Sequence, residues 1–346
     1  MNQFEIFFDS LYLSFVIFLG IRMLLIENKN SKILGSMTLL LGLGDSFHLL
    51  PRIIANVMEN GFNVNSFGLF LGTRVSAITM SVFYLLLYFY VKKITENENK
   101  VLDMSMIILF VARILSVAMT FKSRGNMDII SNIPFVIIGL IDIFLLYKYK
   151  EKEEFKNLSV YVFFSFLFYV PVVLFKNIYP AIGALMMPKT IMYVLIVIKL
   201  YKNLKKDFVK KDIVEFAVAY LFLGILAGAV YRELGKIYPV QIKMALVHTH
   251  LIVLGFIVPI VFYLAIKNLN FSDKKIEKLF RIYNFGIYFS FTTMFLHGLI
   301  DSYNISKLVS IAMISINGIG HILITLAVIL ISTKALRAKT ILSDSL

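Results

Sequence analysis

The sequence predicts an all-α, polytopic transmembrane helical bundle, and three observations carry that prediction. Eleven apolar runs fill most of the 346 residues, each near the roughly 20 residues a helix needs to cross a bilayer. Hydrophobic residues make up 59% of the chain, more than a soluble fold can hide. The basic residues fall on alternate loops, as the positive-inside rule requires of membrane helices.

Each run has its own grounds. Run 1, 4–26, follows a start that carries Glu5 and Asp9 and no basic stretch, so it is expected to stay as a span and not to be cleaved as a signal peptide. Run 2, 33–57, holds G-D-S-F-H-L-L-P-R, with Asp45, His48 and Arg52 at i, i+3 and i+7 on one face. Arg74 opens run 3, 67–91, and Arg113 sits midway along run 4, 102–121. Asn132 begins run 5, 131–149, which also carries Asp142. Lys176 ends run 6, 158–177, and Lys189 follows Pro188 in run 7, 181–200.

The most basic loop, K-L-Y-K-N-L-K-K-D-F-V-K-K-D over Lys199–Asp212, then divides seven runs from four. Two modules are therefore expected, 1–206 and 207–346. Run 8, 213–234, has Gly224 and Gly228 in a G-x-x-x-G step that allows close helix approach, and it ends in Tyr231, Arg232 and Glu233. Run 9, 242–267, carries V-H-T-H with His248 and His250. Run 10, 279–302, carries Thr293, His297 and Asp301 at i, i+4 spacing, and run 11, 308–333, carries Asn317, His321 and Thr325 likewise.

Charge orients the bundle. The net charge is +14, yet its distribution argues against a nucleic-acid partner. Of the Lys and Arg residues, 23 lie in or beside the loops after odd-numbered runs and the C-terminal tail. Seven lie on the opposite side and five inside runs. The N-terminus is therefore expected outside and the C-terminus in the cytoplasm, in a bacterial cytoplasmic membrane, with anionic lipid against the basic loops. The chain has no Cys, which removes disulfides, iron–sulfur clusters and thiolate metal sites. It has no Trp but 18 Tyr, so Tyr supplies most of the interfacial anchoring.

The polar residues inside the runs define two candidate sites, because ionisable groups in a membrane are costly and mark function by default. In the first seven runs, cations outnumber acids. Asp45, His48, Arg52, Arg74, Arg113, Asn132 and Lys189, with Lys122, Arg124 and Lys176 nearby, are expected in the outer half. They fit an outward-facing cavity of positive potential for a carboxylate, phosphate, lipid headgroup or quinone-like ligand. The competing reading has the cations near run ends snorkelling to headgroups. Arg113 and Lys189 are too deep for that.

In the last four runs, His248, His250 and His297 are expected to share one depth, with His321 deeper. Positions i and i+2 point about 200° apart, so His248 and His250 face different gaps. Asp301 is positioned to accept the spare N–H of His297. Two histidines facing each other across a helical bundle form the ligand set of a b-type haem. The alternatives are Zn, Cu or Fe held by the imidazoles with Glu233 or Asp301, or histidines that only bind neighbouring helices.

V-H-T-H-L-I-V-L-G-F, the Y-R-E end of run 8 and N-G-I-G-H-I-L resemble an uncharacterised bacterial family of four-helix membrane proteins, over about 210–333. The H-x-H-L-x-x-L-G segment is also similar, more faintly, to helices of haem–copper oxidase subunit I and of nitric-oxide-response membrane proteins. That likeness implies haem on His248 or His250, with His297 or His321 opposite. The histidines are too few for two haems and copper. The first seven runs resemble microbial rhodopsins in having a lysine on the seventh, but run 3 lacks a carboxylate counter-ion. Haemolysin-III-like hydrolases need several histidines where these runs have one.

No soluble catalytic motif occurs in the loops. The sequence thus predicts a haem-b-binding redox or sensor protein with an outward cationic cavity, working with a membrane redox partner or a second copy. Its rivals are a cofactor-free transporter or receptor for a small anion, and an assembly scaffold.

Overall fold

A computed structural model describes residues 2–96, 98–121, 126–205, 207–269, 273–301, 303 and 307–337. Among them every regular element is helical. The order is α1 (Asn2–Leu25), α2 (Ser31–Val57), α3 (Gly61–Val64), α4 (Ser66–Thr95), α5 (Lys100–Met119), α6 (Asn126–Ile130) and α7 (Asn132–Lys148). A short 3₁₀ turn (Glu153–Phe155), α8 (Leu158–Phe175), a second 3₁₀ turn (Pro180–Leu185) and α9 (Met186–Leu204) follow. Then come α10 (Asp212–Leu234), α11 (Ile242–His250), a π-helix (Leu251–Ile257), α12 (Val258–Ile266), α13 (Asp273–Ile300) and α14 (Lys307–Arg337).

Among the described residues, ten helical stretches are long and apolar enough to cross a membrane. The expected eleventh, α13, has 28 residues and ample length, but Asn284, Ser290, Thr292, Thr293 and His297 dilute its apolar character. Ser290, Thr292, Thr293 and His297 are buried inside the protein. Local signals explain the ends. Asn99 caps α5 by accepting from the Val101 and Leu102 N–H groups, both at 3.1 Å. Lys92, in the last turn of α4, pairs with Asp103 at 2.5 Å, and the Tyr88 hydroxyl donates to the same carboxylate at 2.7 Å.

The chain divides into two compact units. One comprises Tyr12–Arg52 and Phe62–Leu204, the other Met1–Leu11, Ile53–Gly61 and Lys205–Leu346. The division after Leu204 falls inside the basic Lys199–Asp212 loop. The first unit has an aromatic centre in which Tyr84 packs on Phe135, Phe166 and Tyr193 at ring distances of 5.0 to 6.4 Å. Its α2 and α4 touch at Gly44 and Gly72, where a Cβ would collide with Thr79 and with the Phe47 carbonyl. That contact fixes the helix pair that carries His48 and Arg74.

In the second unit, α13 and α14 cross at Gly286 and Gly320, each lying against the other's carbonyl oxygen. The Tyr288 hydroxyl donates to the Leu11 carbonyl at 2.5 Å. The π-helix has a local cause. Val258 N–H reaches back five residues to the Val253 carbonyl. In that register Pro259 would serve Leu254, but proline has no N–H. The buried Tyr283 hydroxyl serves Leu254 instead, at 2.5 Å.

Candidate functional site

The first unit contains a cavity of about 440 Å³, within the size range of small-molecule sites. His48 on α2, Arg74 on α4, Arg113 on α5, Asn132 at the start of α7, Tyr169 and Lys176 around the end of α8, and Lys189 on α9 all line it. Four cations therefore face one lining acid, Asp128. Of the cavity residues the sequence singled out, the structure brings together His48, Arg74, Arg113, Asn132 and Lys189, with Lys176 beside them. Asp45 and Arg52 do not line it. Lys122 and Arg124 lie outside the described residues.

The cations differ in how they are satisfied. Arg74 donates to Asp128 at 2.5 Å and to Thr120 at 3.1 Å, and its guanidinium stacks 4.0 Å from the Phe70 ring centre. Its charge is matched. Arg113, 1% exposed, donates to the carbonyl oxygen and the hydroxyl of Ser131 and lies 5.4 Å from the Phe135 ring centre. Its Nε has no hydrogen-bond partner among the described residues. Lys189, 4% exposed, has its ammonium 3.8 Å from the Met80 sulfur and 4.7 and 5.1 Å from the ring centres of Tyr169 and Tyr193. Neither Arg113 nor Lys189 has a carboxylate partner among the described residues. A buried cation is normally paired, so two such groups facing one cavity call for an anion.

Two buried acids of this unit, Asp45 and Asp142, do not line the cavity. Asp45 accepts the Tyr12 hydroxyl at 2.6 Å and the Ser76 hydroxyl at 2.5 Å, with His48 at 4.0 Å. Asp142 is fully buried in α7, away from the lining, and neither of its oxygens has a hydrogen-bond partner among the described residues. Two lining groups that sequence reasoning passed over are Asp128 and Tyr169. The Tyr169 hydroxyl donates to the Asn132 side chain at 2.5 Å, and the Asn132 amide donates to the Asp128 carbonyl at 2.6 Å.

In the second unit, the histidines form no single group. His250 and His321 meet, with ring centres 5.6 Å apart at an interplanar angle of 68°. His250 Nδ1 is 2.9 Å from the Leu246 carbonyl, which leaves Nε2 as the free ring nitrogen. His321 Nε2 lies 3.2 Å from the Ser290 hydroxyl, which also donates to Asn317 at 2.7 Å. His297 stands apart, with Nε2 3.1 Å from Ser310 and 3.2 Å from Asp301. Asp301 also pairs with Lys243 at 2.7 Å. His248 turns to α10, over Gly228, where a Cβ would sit 3.6 Å from its own, and its Nδ1 has no hydrogen-bond partner among the described residues.

The expected common depth of His250 and His297 therefore gives way to a different register. Gly298 lies directly against the Met244 backbone, so His297 is level with the start of α11. His250 is six residues further along, about 9 Å at 1.5 Å per residue. Tyr231, Arg232 and Glu233 add nothing to these groups. Arg232 and Glu233 are exposed and pair with each other at 2.9 Å, and Glu233 also binds Lys236 at 2.6 Å.

The fit to a metal or haem follows. Among the described residues no group of three or more His, Asp or Glu side chains is arranged to hold a metal ion. A haem needs only two axial imidazoles. Among the described residues, His250 and His321 are two imidazoles whose rings meet.

Residues 210–338 match the model of a family described as a protein of unknown function, DUF2871. This accords with the resemblance of the C-terminal half to an uncharacterised family. No curated protein matches the chain, and no solved structure does. No likeness to haem–copper oxidases emerges from these comparisons.

Proposed function

We propose that the chain crosses a bacterial cytoplasmic membrane eleven times, with its N-terminus outside and its C-terminus in the cytoplasm. Its first unit serves as a receptor or transporter for an anionic ligand that enters from the outer side. One observation carries this reading: Arg113 and Lys189, both buried and both without a carboxylate partner among the described residues, face the same cavity. Arg74 and Asp128 at the wall add a pair that an incoming anion can open by competing for the guanidinium. The length of α13 and the side-to-side bias of Lys and Arg support the eleven spans and their orientation.

The test is thermal unfolding of the purified protein at constant ionic strength, with acetate, inorganic phosphate or decanoate added in turn. At least one anion is expected to stabilise the wild type, by about 2.7 kcal/mol at 100 times its Kd. Arg113→Gln and Lys189→Met are expected to lose that response. A wild type that none of the three anions stabilises would overturn the reading.

A second reading is supported by the His250–His321 pair. In it, the second unit holds a b-type haem between these two imidazoles, and the chain acts as a membrane redox or sensor protein. The bound haem would supply one-electron chemistry, while this chain's residues orient the ligands. Leu246 would fix the His250 ring through Nδ1, leaving Nε2 to ligate, and His321, whose Nε2 meets the Ser290 hydroxyl, would ligate through Nδ1. An absorbance spectrum of protein expressed with haem tests it. A Soret band that moves on reduction supports the reading, and a featureless visible spectrum with haem supply verified would end it.

A further inference from the structure

We infer that the ligand of the cationic cavity is a single-chain anionic amphiphile, a fatty-acid-like molecule. Its head group meets Arg113 and Lys189, and its tail lies in the groove between α7 and α8. This rests on the anion reading above and adds the ligand's class and its route.

The groove is a second hollow, of about 190 Å³, and it shares the Asn132, Tyr169 and Val173 wall with the cavity. Beyond that wall, side chains such as Ile133, Val136 and Val170 line it. The two polar residues of the shared wall bind inward: Tyr169 to Asn132, and Asn132 to the Asp128 carbonyl. With those atoms satisfied, the groove presents carbon to whatever occupies it. Ile133 is 54% exposed, so in a membrane the groove opens toward lipid and not toward water.

A fully solvated anion would use the cavity and leave the groove to bilayer lipid. An amphiphile uses both, with charge against two cations that have no carboxylate partner among the described residues and an aliphatic chain against the apolar walls of the adjoining groove. The proline at position 171, inside α8, lacks the N–H that would continue the helix ladder there. That break falls between Tyr169 and Val173, at the junction of the two hollows.

The probes are acetate, decanoate and decanol, with the protein in nanodiscs of zwitterionic lipid and thermal unfolding as the readout. Decanoate is expected to reach half-maximal stabilisation at a concentration roughly tenfold or more below acetate, since each buried methylene adds to binding. Decanol is expected to have no specific effect. Val170→Phe, which fills the groove, is expected to bring the ratio of the two midpoints near unity, and Val136→Phe serves if the first variant does not fold. Equal midpoints for acetate and decanoate in the wild type would overturn this inference and leave the anion reading intact. Equal action of decanol and decanoate would overturn it too, because the charge would then be irrelevant. Silence of both acetate and decanoate would overturn it as well, and the anion reading would fall with it if inorganic phosphate is also silent.

Discussion

Replacing Lys189 by methionine separates stability from binding in this protein. Lys189 is buried, with 4% of the residue exposed, and no carboxylate among the described residues pairs with its ammonium. Withdrawing an ammonium from water costs several kcal/mol even after relaxation. The rings of Tyr169 and Tyr193, at 4.7 and 5.1 Å, offset about 0.5–2 kcal/mol each. Methionine keeps an unbranched side chain one atom shorter than that of lysine, sheds the charge and gains sulfur–aromatic contacts of about 0.3–1.5 kcal/mol with the same rings. The neighbouring cavity lets water reach part of the site and trims the penalty. Lys189→Met is therefore expected to stabilise the ligand-free protein by about 1–3 kcal/mol and to abolish its response to anions. Reversible unfolding in mixed micelles, with and without decanoate, reads both effects. A loss of more than about 1 kcal/mol in the ligand-free protein would refute the reasoning, since it would mean that the charge is structurally satisfied.

Three further predictions follow from other parts of the fold. Tyr283→Phe should cost about 1–3 kcal/mol, because it strands the Leu254 carbonyl. Pro259→Ala supplies the missing N–H, so the double variant should lose less than the sum, and strict additivity in a double-mutant cycle would contradict this account of the π-helix. Under the haem reading, His250→Ala and His321→Ala should each abolish bound pigment while His297→Ala retains it; loss with His297→Ala and retention with His321→Ala would restore the His297 pairing expected from sequence. The chain has no Cys, so single introduced thiols report sidedness cleanly. Asn177→Cys should react with an impermeant maleimide in intact spheroplasts and Glu151→Cys only after lysis, and the reverse pattern would invert the topology.

The helices were legible because apolar runs of membrane length leave little choice of structure. Arg113 and Lys189 stood out for a related reason: a charge in the middle of such a run has no bland explanation. Tyr169 did not, since a tyrosine in an aromatic-rich run reads as an interfacial anchor. Asp128 falls between two apolar runs, on the short α6, and gains meaning only when Arg74 reaches it from 54 residues away in sequence. Asp45 and Arg52 share a face with His48 on α2, but the face is wider than the cavity, and Tyr12 and Ser76 hold Asp45 outside it. The histidine pairing was hidden by register. Which imidazoles meet depends on how far α11 slides along α13, and the small Gly298 side that receives Met244 sets that slide. No spacing within a single helix encodes it. The π-helix was equally opaque, because it needs Pro259 and a tyrosine from another helix to act together.

The most direct test of the central claim is an experimental density map of the protein in zwitterionic nanodiscs with saturating decanoate. The account predicts head-group density in contact with the Arg113 guanidinium and the Lys189 ammonium, absent from a map recorded without decanoate. A cavity that holds only water, with Arg113 and Lys189 each paired to a protein carboxylate, would contradict it.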